Sequence, residues 1–186
     1  MKCSTGIGTL SQEKQLYKTV ESENFYLTTV KMNGIDIPAV GSEYILQELE
    51  GRVELQYYLR SETTTDNKLF TFMQIMTINP VDDDTPETNI IQVGGCIAKT
   101  KGLLIKNKIG LEVLPFIIKY KSYDGNFNVA HCVAKGAKAR ELSKIRKGDI
   151  VEITGIFKKE HNALEVLVEE VDFYKAYHVL ETKKIS

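Results

Sequence analysis

Lys119, Tyr120, Lys121 and Tyr123 set cations and rings side by side within five residues, and Phe127 follows an Asp124-Gly125 step. Residues of these types in this pattern offer ammonium groups to a polyanion and ring faces to planar partners that can stack on them. Tyr120 alternates with the charged positions and is expected to face the core, whereas Tyr123 and Phe127 flank the turn. More lysines stand nearby: KTKGLLIKNK carries Lys101, Lys106 and Lys108, the KKEHN step carries Lys158 and Lys159, and Lys135 opens a further basic run. The candidate binding residues are therefore Lys101, Lys106, Lys108, Lys119, Lys121, Tyr123, Phe127, Lys135, Lys158 and Lys159. Lysines in hairpins are commonly only a solvated surface, and it is their clustering with rings that points to a ligand.

Catalytic constellations are not visible. His131 and Cys132 are neighbours in an apolar strand, so their side chains point to opposite faces and cannot cooperate. Asp82, Asp83 and Asp84 form one acidic run without liganding partners, which reads as solvated chain rather than a cation site. GGCIAKTKG lacks the Gly-Lys-Ser/Thr ending of a phosphate loop. Cys3, Cys96 and Cys132 are scattered, without a second ligand at metal spacing, and are expected to be buried thiols. The expectation is a non-enzymatic protein without a cofactor.

The elements that must position the lysines and rings follow from charge and periodicity. Residues 1–87 hold 7 Lys or Arg against 14 Asp or Glu, a balance of −7, while residues 88–186 hold 17 against 11, a balance of +6. That asymmetry suggests two units with different partners, one of them polyanionic. NPVDDDTPE, with two prolines and no apolar periodicity, predicts a solvated linker over 82–88 between a domain at 1–81 and a domain at 89–174, with a tail at 175–186. In the later domain NIIQVGGCIAK, GLEVLPFIIKYKSY and FNVAHCVA read as strands, and Lys135 to Lys147 as a helix carrying Ala139, Leu142 and Ile145 inward until Gly148 stops it. DIVEITGIF and ALEVLVEEVDFY alternate with period two and close the domain. Three strands, one helix and two strands, with glycines bending the first strand, is the plan of the OB fold, a five-stranded Greek-key barrel.

The earlier half runs in parallel. MKCSTGIGTL again pairs glycines in a first strand, and YKTVESENFYLTTVKMNG ends in Asn33-Gly34 where its counterpart ends in Asp124-Gly125. IDIPAV, the helix SEYILQELEG with Ser42 as cap and Leu46 and Leu49 inward, RVELQYYLRS and LFTFMQIMTI complete the order. The expected fold is all-β with short helices, two tandem OB-fold five-stranded Greek-key barrels. Tyr57 and Tyr58 are adjacent in a strand, so one is expected in the core and the other exposed. Glu21, Glu23, Glu43, Glu48, Glu50, Glu54 and Glu62 would repel phosphate from the first barrel.

IIQVGG, AHCVAKGAKARELSKIRKGD, VEITGIF and LEVLVEEVDFY carry a further signal. In these segments, above all in helix, Lys147-Gly148-Asp149, strand, Gly155, the later half resembles bacterial single-stranded DNA-binding proteins of the OB type and the related primosomal replication protein N. The sequence departs from that family at Gly95, where an arginine is usual, and at Lys135, where an aromatic is usual. There is no tryptophan, and KAYHVLETKKIS stands where the family has an acidic tail, so recruitment through such a tail is not expected. The resemblance implies non-sequence-specific binding of single-stranded DNA in replication, repair, recombination or mobile-element DNA processing, centred on the basic barrel. It leaves open a homodimer, RNA as ligand, and contacts of the acidic domain with replication or recombination proteins. The alternative is an OB-fold protein-protein adaptor with weak or no nucleic-acid binding. No apolar run approaches the roughly 20 residues that span a bilayer, and the start lacks the apolar stretch of a secretion signal, so the expected location is the cytoplasm without membrane contact.

Overall fold

The computed structural model describes residues 3–47, 49–106, 110–122, 124–160 and 163–176. The chain divides into two compact units, the first spanning Cys3–Ile91 and the second beginning at Gln92. In the first unit the strands are β1 (Ser4–Leu10), β2 (Gln15–Val20), β3 (Glu23–Met32), β4 (Ile35–Ser42), β5 (Gly51–Thr63), β6 (Leu69–Pro80) and β7 (Thr88–Asn89), with α1 (Glu43–Leu46) between β4 and β5. The sheet runs β2-β3-β4-β6-β5-β1-β7 and closes because β1 also pairs with β3. Its central pair β4–β6 is parallel and the remaining pairs are antiparallel. Period-two alternation turns Val30, Met32, Ile37, Leu55, Phe72 and Ile75 into the barrel, each at most 1% exposed.

The second unit repeats this plan with β8 (Ile91–Thr100), β9 (Leu104–Lys106), β10 (Leu111–Lys121), β11 (Phe127–Lys135), α2 (Ala137–Glu141), β12 (Ile150–Glu160) and β13 (Ala163–Lys175). Its order is β11-β13-β12-β8-β10-β9, closed by β10–β11, again with one parallel pair, β11–β13. Five strands closed in this order, with a helix before the fourth, make each unit an OB barrel. The paired glycines have one cause in both. A Cβ on Gly8 would stand 2.5 Å from the Lys31 carbonyl oxygen, and one on Gly95 2.4 Å from that of Lys119, so the first strand can cross the second only where no side chain intervenes.

Several expectations are corrected. The stretch expected to be a linker over 82–88 is bound along the first unit: Arg52 Nε donates to the Thr85 carbonyl at 2.9 Å, its guanidinium meets Glu87 at 3.0 Å, and Thr88 and Asn89 pair with Ile7 and Gly6. The Thr85 carbonyl and the Glu87 carboxylate are thereby satisfied, and the division falls after Ile91. Both helices are shorter than expected. Gly136, at φ 54, separates β11 from α2, so Lys135 is the last residue of a strand, although Ala139, Leu142 and Ile145 are buried as expected. Ser42 occupies the position before α1 but makes no capping hydrogen bond. Tyr57 and Tyr58 are both buried: Tyr57 continues the inward series Val53, Leu55 and Leu59, while Tyr58, on the other face of the strand, is covered as well; the Tyr57 hydroxyl donates to the Ile90 carbonyl at 2.8 Å. Of the cysteines only Cys132 is buried, while Cys3 and Cys96 are exposed.

Candidate functional site

The outer face of the second unit is a grid fixed by strand register. Residues directly opposite in an antiparallel pair share a face. Lys121 stands opposite Phe127, Lys119 opposite Val129, Ile117 opposite His131 and Pro115 opposite Val133. On the other side of β10, Ile117 is opposite Lys99 and Lys119 opposite Cys96. The alternate residues, Phe116, Ile118 and Tyr120 on β10 and Ala130, Cys132 and Ala134 on β11, are buried in the barrel.

A tight hydrogen-bonded turn sets Phe127. Ser122 N donates to Asn126 O at 2.9 Å, and the buried Asn128 amide donates to Ser122 Oγ at 2.8 Å and to Asn126 O at 3.1 Å. Gly125, at φ 80, supplies the left-handed residue that the turn requires. Asn128 is thereby held inward and its neighbour Phe127 outward, 62% exposed, with Lys119 Nζ 4.2 Å and Lys121 Nζ 5.5 Å from its ring centroid. Each such contact is worth about 0.5–1 kcal/mol at an exposed site.

Four lysines on this face keep their charges unspent: among the described residues, Lys99, Lys101, Lys119 and Lys121 have no carboxylate partner. Lys138 pairs with Glu141 at 3.2 Å and Arg140 with Glu112, which holds them at the helix. Uncompensated like charges on a convex sheet face raise the local positive potential.

The expected residues are only partly brought together. Lys119, Lys121 and Phe127 form one cluster, and Lys101 lies along the same face with its backbone N–H donating to Pro115 O. Lys158 is directed to the outer side of β12 but is tied to Glu160 at 3.4 Å, and Lys135 reaches it from the end of β11. The carboxylates of Glu160 and Glu165 stabilise the Lys158 ammonium. Lys159, next in the strand and exposed, points to the opposite side of that hairpin and is not part of the cluster. Lys108 and Tyr123 lie outside the described residues; Lys106 closes β9, and its side chain lies outside them as well. Sequence reasoning missed Ile117, Val129 and His131, which period-two counting from Lys119 and Phe127 would have placed on the same face, and Lys99, which only the β8–β10 register brings there.

The first unit spends the same resources internally. Lys14 Nζ donates to the Leu46 and Leu49 carbonyls at 2.5 and 3.3 Å, and Arg52 is held by Thr85 and Glu87. Lys18 and Arg60 both pair with Glu62, at 3.3 and 3.1 Å, and Glu62 also accepts the Tyr17 hydroxyl at 2.5 Å. Burial pushes the Glu62 carboxyl up, but Tyr17, Lys18 and Arg60 together hold it below the ordinary carboxylate value. Where the second unit sets Lys121 opposite Phe127 beside the β10–β11 turn, the first sets Lys31 opposite Asp36 beside the β3–β4 turn, a carboxylate in place of a ring.

Among the described residues no group of three or more His, Cys, Asp or Glu gathers to hold a metal, and no helix is long and apolar enough to cross a membrane. Asp149 explains the Lys147-Gly148-Asp149 phrase. Its backbone carbonyl accepts from Ile97 N at 2.8 Å, while its buried carboxylate accepts from Arg146 N at 2.8 Å and from the Tyr174 hydroxyl at 3.1 Å, joining β8, β12 and β13.

No protein-family model matches the chain, and no curated protein matches it. Solved structures do. The wild-type single-stranded DNA binding protein from Thermus aquaticus superposes with a TM-score of 0.77 at 14% identity, covering 95% of this chain and 94% of that one. A deletion variant of the same protein gives 0.73 at 15% identity over 92% and 93%. A protein named PriB from Ralstonia solanacearum covers 46% of this chain with a TM-score of 0.41 at 14% identity. At these identities the likeness concerns architecture, and over nearly its whole length this chain has the tandem OB fold of the Thermus aquaticus protein.

Proposed function

We propose that this protein binds single-stranded DNA through the outer face of β8, β10 and β11 in its second unit. The observation that carries the reading is a face with four lysines that have no carboxylate partner among the described residues: Lys119 and Lys121 at the exposed ring of Phe127, and Lys99 and Lys101 further along the same strands beside Ile117 and Pro115. In OB folds the second and third strands and the loops beside them are the usual surface for oligonucleotides. Lysines follow the phosphates and release counterions, while an exposed ring accepts a base of any identity, so the binding is broadly independent of sequence. The fold of the Thermus aquaticus protein, named for binding single-stranded DNA, supports the same reading. Its setting is the cytoplasm, in replication, repair, recombination or mobile-element DNA processing.

The acidic first unit, with Lys14, Lys18, Arg52 and Arg60 engaged internally, is poorly suited to phosphate. Its part is contact with protein partners of replication or recombination; Tyr44 at 84% exposure and Leu16 at 56% give it apolar surface for such contacts. If that were the whole function, the chain would be an adaptor with no salt-sensitive binding of DNA.

Fluorescence titration of labelled oligo-dT and of duplex DNA at low and moderate salt separates the readings. The expected result is tighter binding of the single strand, weakening as salt rises. Duplex preference, or no salt-sensitive binding, overturns the proposal.

A further inference from the structure

One pocket on the outer face of the second unit contains groups that charge attraction and stacking leave unused. Its volume is about 260 Å³, and Lys99, Lys101, Pro115, Ile117, His131 and Glu165 line it. The sheet order β8-β10-β11-β13-β12 arranges several of these in a single row. Lys99 is opposite Ile117, Ile117 opposite His131, and Glu165 opposite Lys158. The row therefore begins and ends with a cation, has an apolar side chain and an imidazole in its middle, and sets one carboxylate beyond the imidazole.

A surface made only for phosphate would not hold Glu165, because a carboxylate there repels the ligand. Glu165 faces Lys158 across the β12–β13 pair and its charge acts on that ammonium, but among the described residues none donates a hydrogen bond to its carboxylate, and none bonds the His131 ring. A carboxylate is acceptor-only, so its complement on a nucleic acid is an amino group on a base. Acidic side chains meet the N4 amine of cytosine in this way, whereas uracil and thymine present a carbonyl oxygen at the same place.

Resting on the proposed function, we infer that this pocket holds one unstacked cytosine, its ring against Pro115 and Ile117 and its N4 amine donating to Glu165, while Lys99 and Lys101 take the phosphates beside it. The face as a whole remains tolerant of sequence, and this position alone discriminates.

The test compares short single-stranded oligonucleotides of deoxycytidine and deoxyuridine, which differ at the base edge and not in the ring or the methyl group. Binding to the full chain is measured at neutral pH and one ionic strength. The expected result is about ten-fold tighter binding of the deoxycytidine strand, at the low end for one specific base contact. Glu165→Gln, which is isosteric and whose amide also donates to a carbonyl, brings the two strands to within about two-fold. Lys101→Ala weakens both equally and leaves their ratio unchanged. Equal binding of the two strands, tighter binding of deoxyuridine, or a cytosine preference that survives Glu165→Gln overturns the pocket assignment while salt-sensitive binding leaves the proposed function standing. Binding of neither strand overturns the proposed function and the pocket with it.

Discussion

Replacing Phe127 with alanine isolates stacking from charge. The ring is 62% exposed, so roughly two-fifths of it is covered, and with complete burial worth about 1.5–3 kcal/mol the fold loses about 0.6–1.2 kcal/mol. Loss of the Lys119 ammonium over the ring adds about 0.5–1 kcal/mol, for a total near 1–2 kcal/mol that leaves the barrel folded. Binding loses a base stack worth about 1–3 kcal/mol. Against that, Lys119 sits 4.2 Å from the centroid, and a base arriving on that face must displace it at about 0.5–1 kcal/mol, which the alanine variant is spared. The net loss is about 0.5–2 kcal/mol, or roughly two- to thirty-fold in affinity. Anisotropy titration with labelled oligo-dT at several salt concentrations reads both the loss and the salt slope, and thermal unfolding confirms the fold. The slope should stay at its wild-type value, because the ring neutralises no phosphate. Unchanged affinity, or a slope that falls as it does on removing a lysine, refutes the stacking role.

Removing Lys119 and Lys121 together should lower the salt slope by about 1.4, at about 0.7 per phosphate contact on a single strand, while Lys31→Ala at the corresponding turn of the first unit should leave affinity and slope unchanged. An equal effect of Lys31→Ala would move the site to both units. Glu62 predicts a pH dependence of stability: its folded carboxyl lies below the ordinary value of 4.5, so its contribution is complete above that value and disappears as pH falls through the folded one. Glu62→Gln should therefore lower the urea midpoint at neutral pH, with the gap to wild type closing as the solution is acidified; a gap that stays constant would remove Glu62 from the account.

Much of the fold was legible because its signals are local. Asn33-Gly34 demands positive φ at both residues, which this pair supplies at 49° and 76°, and the alternation of apolar residues identified every strand that closes the two barrels. The second helix was overestimated because Ala139, Leu142 and Ile145 keep helical spacing although beyond α2 the chain continues in tighter turns, Ser143 N donating to Arg140 O and Ile145 N to Leu142 O. The path of residues 82–88 was hidden because Arg52, the residue that captures it, is more than thirty positions away and has no local signature. The cluster of Lys119, Lys121 and Phe127 was readable from strand periodicity plus one turn. Lys158 and Lys159 looked alike in the sequence, yet alternation separates them and Glu160 engages the first. The contribution of β8 to the site could not be read at all, since Lys99 meets Ile117 only once register and the irregularity between Ile117 and Ile118 are known.

The central claim is that one face of the second unit, and not the matching face of the first, holds the single strand. Amide chemical-shift mapping of the full chain during titration with an unlabelled single-stranded oligonucleotide tests it most directly. Perturbations should gather on Lys99, Ile117, Lys119, Lys121, Phe127, Val129 and His131, and be absent from Thr29, Lys31 and Asp36. Perturbations centred on the β3–β4 face, or scattered over both barrels without a focus at Phe127, would contradict it.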